Sequence, residues 1–462
     1  MPDPGAKDLN LRNDFPPVST EAWEAAIRAD LNGADYEKKL VWRTDEGISV
    51  RPYYRSENLP EIRVPLPPSA WAIFEQLAPG PNAIRADQLH ESGANAVQEL
   101  AYALAAGVER LAALSERQPV EFAARNIEFV FAVGSTYFIE IAKLRAARLL
   151  WAEAVAAFNP AGACPMRLIA RTARFNKSVY DRYSNLLRST TEAMSAVIGG
   201  CEELAVEPFG FNARLALNVQ RVLKEEAHLD AVSDPAAGSY YIEGLTDALA
   251  REAWKLFQQV EAEGGYTHAL ESGSIGRALN HSRAARERAI ALRRRTLVGV
   301  NNYPDLKEKH PSSSSQKTED SPYPQFRLAE PFERIRRRTE QHARETGRYP
   351  LVLLLQRGDL KMRIARANFA LNFFGCAGFD ITESDRYEGV RADLIVLCSS
   401  DPEYLAFAKD VCPRVSIPVL VAGFPKDQLE ALRAAGVQDF IHAQSDAVQT
   451  LSEWQDRLGM KE

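Results

Sequence analysis

Seven histidines (His90, His228, His268, His281, His310, His342 and His442) are the side chains best suited to bind a metal or shuttle a proton, yet no two stand at a ligand spacing. Five cysteines, Cys164, Cys201, Cys376, Cys398 and Cys412, form no C-x-x-C pair and read as reduced core thiols. The chain carries no G-x-G-x-x-G, no G-x-x-x-x-G-K-[ST], no H-E-x-x-H and no G-x-S-x-G. Dinucleotide cradling, nucleotide hydrolysis, zinc hydrolysis and serine nucleophiles therefore lack a local signature. Two basic clusters remain, Arg283, Arg286, Arg288, Arg293, Arg294 and Arg295, then Arg334, Arg336, Arg337 and Arg338. Aromatic residues do not interleave them and the net charge is -6, so they read as solvated helix faces or contacts with an acidic subunit. Neither a metal site nor a nucleic-acid partner is expected.

The elements that would position any chemistry are those of a globular α/β chain. The 462 residues, 46% hydrophobic and 26% charged, predict two or three domains with ample cores. No apolar run reaches membrane-spanning length and Met1-Pro2-Asp3-Pro4-Gly5 lacks a secretory pattern, so a cytoplasmic protein is expected. Ser19-Thr20 caps a first helix bearing Trp23, Ile27 and Leu31, which Asn32-Gly33 closes. A proline-rich arm follows to residue 70. Strands are predicted at 126–133, 166–170 and 201–206, each followed by a helix, with further helices at 245–264 and 274–295. Residues 303–348, with Pro311 and Ser312 to Ser315, read as a linker. From 349 to 462 five short strands alternate with helices, which predicts a flavodoxin-like doubly wound domain.

Four segments carry more information. They are His90-Glu91-Ser92-Gly93-Ala94-Asn95 continuing to Tyr102, the helix Ala142-Lys143-Leu144-Arg145-Ala146-Ala147-Arg148-Leu149-Leu150-Trp151, then Asp234-Pro235-Ala236-Ala237-Gly238-Ser239-Tyr240-Tyr241-Ile242-Glu243, and Val298-Gly299-Val300-Asn301. Together, and in this order, they resemble the barrel half of the methylmalonyl-CoA mutase family, with similarity from Asp14-Phe15 and Trp23 to about Tyr303. The C-terminal domain resembles that family's cobalamin-binding domain. The resemblance implies an incomplete (β/α) barrel-like domain over 71–302, preceded by an arm at 1–70 and followed by a degenerate B12-binding domain. From Trp71 to Glu226 at most four or five strands fit, against ~250 residues for a closed barrel.

The departures matter as much as the matches. Active members carry D-x-H-x-x-G, whose His ligates cobalt. Here the stretch is Asp359-Leu360-Lys361-Met362-Arg363-Ile364, with Lys361 at the ligand position and Ile364 at the Gly position. An ammonium has no lone pair to offer. Active members also place a His three residues before the Glu that matches Glu91, a position held here by Gln88. His90, out of register, reads as a loop histidine, and Glu140 and Lys143 are assigned no catalytic role. Arg167-Leu168-Ile169-Ala170-Arg171-Thr172-Ala173 lacks the substrate-facing His and Gln.

The resemblance is to the small chain of heterodimeric members. It implies a non-catalytic subunit without catalytic, metal or cofactor-binding residues of its own. A larger homologous chain would bind adenosylcobalamin and the acyl-CoA and interconvert (R)-methylmalonyl-CoA and succinyl-CoA. Two alternatives stay open: an active acyl-CoA mutase chain of related specificity, and a stand-alone assembly or protective factor.

Overall fold

The computed structural model describes residues 16–308 and 321–461; Asp14-Phe15 and the serine run at 312–315 lie outside them. Helices α1 (Thr20–Asp30) and α2 (Tyr36–Leu40) precede an antiparallel hairpin of β1 (Trp42–Arg43) and β2 (Ser49–Val50). Ser19 caps α1, its hydroxyl accepting from the Ala22 amide at 3.2 Å. The proline-rich arm stays extended apart from one turn at Ser56–Asn58.

Strands β3 (Ala72–Phe74), β4 (Ala83–Arg85), β5 (Glu128–Val133), β6 (Arg167–Thr172) and β7 (Glu203–Ala205) form a wholly parallel sheet in the order β3-β7-β6-β5-β4. Its connections contain α3 (Ala86–Glu91), α4 (Ala96–Ser115), α5 (Val120–Arg125), α6 (Tyr137–Ala156) and α7 (Arg182–Ile198), and α8 (Ala213–Arg221) follows β7. Alternate strand residues face opposite sides. Phe129, Phe131, Val133, Leu168, Ala170, Leu204 and Val206 join the main core with the helices. On the other face Glu128 meets Arg167 at 2.6 Å, and Arg167 also pairs with Glu203. Strands β3 and β4 lie at opposite edges although only residues 75–82 join them. The Gly80 amide donates to Glu128 at 2.9 Å, so that connection runs along the charged face. Helices α9 (Tyr240–Ala262), α10 (Gly265–Glu271) and α11 (Ser274–Ala291) complete this half.

Helix α12 (Glu330–Thr346) departs from the expected linker. Its basic composition hides an apolar stripe of Phe332, Ile335 and Ala343, all buried. Arg336 is buried as well, donating to the Asp305 carbonyl at 2.8 Å and lying over the Tyr180 ring, and Arg286 is likewise buried. For these two arginines the expectation of a solvated face is wrong. Burial of a guanidinium is sustained by its carbonyl and aromatic partners.

Strands β8 (Leu351–Gln356), β9 (Asp380–Ser384), β10 (Leu394–Cys398), β11 (Val419–Ala422) and β12 (Asp439–Ile441) form a second parallel sheet in the order β9-β8-β10-β11-β12. Val352, Leu354, Val396, Leu420 and Ile441 pack with α12, α13 (Leu360–Gly375) and α16 (Ala447–Arg457). Leu353, Leu355, Ile395, Leu397, Val419 and Val421 pack with α14 (Tyr404–Val411) and α15 (Leu429–Ala434) on the other side. Burial on both faces is why these strands read as continuous apolar runs. No helix among the described residues is long and apolar enough to cross a membrane.

Candidate functional site

Ligands of parallel α/β sheets collect at the C-terminal ends of the strands, and each sheet presents such an end. In the first, α3 continues directly from β4 and α6 begins just after β5. With the β1–β2 hairpin, the 173–176 turn and the C-terminal part of α11, they enclose a cleft of about 330 Å³. His90 belongs to α3 rather than to a loop, is buried, and lines this cleft. Gln88, two residues earlier, lines a separate cavity beside edge strand β4. Two helical steps rotate the side chain by about 200°, so the two positions cannot share a site.

Four ionisable groups meet in the cleft wall. Lys143 Nζ lies 2.7 Å from Glu99 and 2.6 Å from Glu140, and donates to the Ala132 carbonyl at 2.7 Å. His90 Nδ1 lies 3.1 Å from the Glu99 oxygen that Lys143 also engages. Burial pushes His90 well below the ordinary histidine range, and the charge of Lys143 adds to that. The ring is therefore neutral near pH 7. Burial also pushes Glu99 up to about 7, against the pull of Lys143. For Lys143 burial acts against the charge, but Glu140 and Glu99 hold it above the usual lysine range. The two carboxylates and the carbonyl thus surround a charged lysine.

Beside the cleft, Arg171 joins Asp87 at 2.8 Å, Glu207 at 2.8 Å and, more distantly, Glu91 at 3.8 Å. Glu91 accepts from the Arg174 amide at 2.7 Å, and burial lifts it to about 7 despite Arg171. Glu91 thus orders the turn after β6.

The strand ends of the second sheet are tied together. Asp359 caps α13, its carboxylate accepting from the Met362 amide at 2.8 Å. Lys361 and Ile364 are exposed on the first turns of that helix. Gly358 has φ +81°, and a Cβ there would collide with the Glu403 carboxylate. Glu403 accepts from the Ser399 and Ser400 hydroxyls at 2.7 and 2.5 Å and from the Asp359 amide at 3.2 Å. These bonds, the Ser400 hydroxyl foremost, hold it down at about 2. Arg366 meets Asp401 at 3.0 Å, and the buried Tyr404 hydroxyl donates to the Ala422 carbonyl at 2.6 Å. Among the described residues no three His, Cys, Asp or Glu side chains gather into a metal-binding group.

Residues 71–346 match the family model for methylmalonyl-CoA mutase. A methylmalonyl-CoA mutase small subunit of Porphyromonas gingivalis is 31% identical over 98% of this chain and 99% of its own length. The chain belongs to the methylmalonyl-CoA mutase family. A small subunit of Streptomyces virginiae is 35% identical over 83% of this chain and 65% of its own length. A methylmalonyl-CoA mutase of Cereibacter sphaeroides is 43% identical over 48% of this chain and 33% of its own. The chain therefore spans less than two thirds of those last two relatives. The Porphyromonas alignment runs to 619 positions against 462 residues here, so at least 157 positions of that relative lack a counterpart.

Of the motif positions, Glu140 and Lys143 come together in the cleft wall and Glu91 lies beside it against Arg171, while Asp359, Lys361 and Ile364 stand at the start of α13, after the first strand of the second sheet. Glu99 and Asn176 also line the cleft and were missed. Glu99 stands four residues after Asn95, the N-cap of α4, in a strongly helical stretch. That spacing could have flagged it as an inward-facing acid, but its contact with Lys143 is long-range and invisible in a linear reading.

Proposed function

We propose that this chain is an accessory subunit of an adenosylcobalamin-dependent methylmalonyl-CoA mutase. A larger homologous chain in a cytoplasmic heterodimer would hold the cofactor and the acyl-CoA and interconvert (R)-methylmalonyl-CoA and succinyl-CoA. The observation that carries this reading is the strand-end geometry of the second sheet. The position of the family's cobalt ligand is an exposed ammonium, the partnering carboxylate is engaged as a helix cap, and Glu403 fills the space beside Gly358. These residues do not fit a corrin. The strand order β9-β8-β10-β11-β12 is 2-1-3-4-5, which favours a flavodoxin-like domain whose ligand crevice has been stapled shut.

The first sheet supports the same proposal. Strand β3 pairs with β7 in parallel, the pairing that closes a (β/α) barrel, while β4 stands free at the other edge. Five strands of an eight-stranded barrel leave a gap, and the Glu128–Arg167–Glu203 row with residues 75–82 occupies the face that would line its bore. Such an arc cannot enclose an acyl-CoA, and its open edges favour assembly with a second chain. The role left to this subunit is to support and shield the partner. Co-expression with a larger homologue tests this directly. A one-to-one complex should form whose corrin absorbance and isomerase activity follow the larger chain. Stoichiometric corrinoid and turnover in the isolated chain would instead make it an active mutase.

A further inference from the structure

Helix α4 carries a row of charges that its own geometry does not pair. Beside the free edge of β4 the helix lines a groove of about 590 Å³, whose far side includes Thr267 at the start of α10. Ala106, Glu109, Arg110, Ala113, Glu116 and Arg117 all line it, and the last five are exposed. Glu116 keeps helical backbone geometry, and the Arg117 amide donates to the Leu114 carbonyl at 3.1 Å, so the row continues past Ser115.

Opposite charges on a helix surface pair at spacings of three or four residues. Here they stand one, six or eight apart, so no such pair forms along α4. Their contacts elsewhere are with neutral groups. Glu109 accepts from the Thr267 amide at 3.0 Å, and Arg110 reaches the Asn82 side chain at 3.4 Å. None of the four has an ion pair among the described residues.

The spacing has a centre. Glu109 and Arg117 stand four residues to either side of Ala113, and Arg110 and Glu116 stand three to either side. A two-fold axis at Ala113 sets each position against the one equally far along an antiparallel copy. Glu109 then meets Arg117 of the second copy and Arg110 meets its Glu116, each contact occurring twice. At the crossing point Ala113 offers only a methyl group, which lets two helices approach closely.

We propose that this face of α4 docks a second copy of this chain, antiparallel, about a two-fold axis at Ala113. Charges that mirror with inverted sign are what an isologous contact requires and what an unrelated partner does not. The surface is separate from both strand ends and does not rest on the accessory role. One helix pair makes a small interface, so the association depends on concentration.

The test is sedimentation velocity of the full chain alone, at low salt and over a wide concentration range. A monomer–dimer equilibrium should appear, and potassium chloride should weaken it. R110E and E116R, both at exposed positions, each set like charges against one another twice and should weaken dimerisation by about tenfold or more. The double variant R110E/E116R restores opposite pairs and should return the equilibrium to that of the unaltered chain, a rescue that damage to the fold cannot give. R251Q, on the exposed surface of α9, should change nothing. A chain that stays monomeric, a dimer indifferent to R110E, or a double variant no better than the single ones would overturn the proposal. Only one polypeptide is present, so none of these outcomes depends on a heterodimer.

Discussion

The two parallel sheets end in opposite ways. At the first, polar residues surround a cleft, with Lys143 buried between two carboxylates and His90 bonded to one of them. At the second, three polar residues near the strand ends are bonded within the protein: Asp359 to its own helix, Glu403 to two serines and an amide, Tyr404 to a carbonyl. Buried polar groups are stabilised by bonding to one another, and at the second sheet those bonds tie the loops together. At the first, the charges pair within the wall and leave the cleft open.

This contrast makes the two ends unequal under mutation. Lys143→Ala should cost the most, about 3–5 kcal/mol in urea unfolding, because it leaves Glu99 and Glu140 buried without a counter-charge. Gly358→Ala should follow at about 1–3 kcal/mol, since it demands a left-handed residue and displaces Glu403. Asp359→Ala should cost about 1 kcal/mol through loss of the α13 cap. Glu403 has a lowered folded-state pKa, so its contribution is present above the ordinary glutamate range and is lost as pH falls toward about 2. E403Q should accordingly flatten the acid side of a stability-versus-pH curve, and an unchanged acid limb would show that the loops are held by something else. Lys361→Ala, exposed, should move stability by less than about 0.5 kcal/mol. Lys361→His should likewise fail to confer a corrin spectrum, because Glu403 still occupies the space; a corrin band from that single change would erase the distinction between the two ends.

Much of the scaffold was legible in the chain. Leu394-Ile395-Val396-Leu397-Cys398 is an unbroken apolar run and forms the central strand β10, buried on both faces. Ser19, followed by an acidic residue and a helical stripe, marked the start of α1. Helix α12 escaped because arginines dominate its local composition, and the burial of Arg336 depends on Tyr180 and the Asp305 carbonyl, far away in sequence. His90 reads as a loop residue in the chain because it stands out of register with the family motif, whereas its burial comes from packing of α3 on β5.

Residue types alone determined that Lys361 can offer no lone pair, that alternating strands and helices make parallel sheets, and that the family signature is carried by four separated segments. Only the folded chain decided that β3 crosses to pair with β7, that Glu403 fills the space beside Gly358, and that His90 and Lys143 share Glu99. The physical reason is range. Patterns of period two or 3.6 act between near neighbours and survive in a linear reading, whereas strand order, charge pairing and desolvation depend on groups that folding brings together from distant parts of the chain.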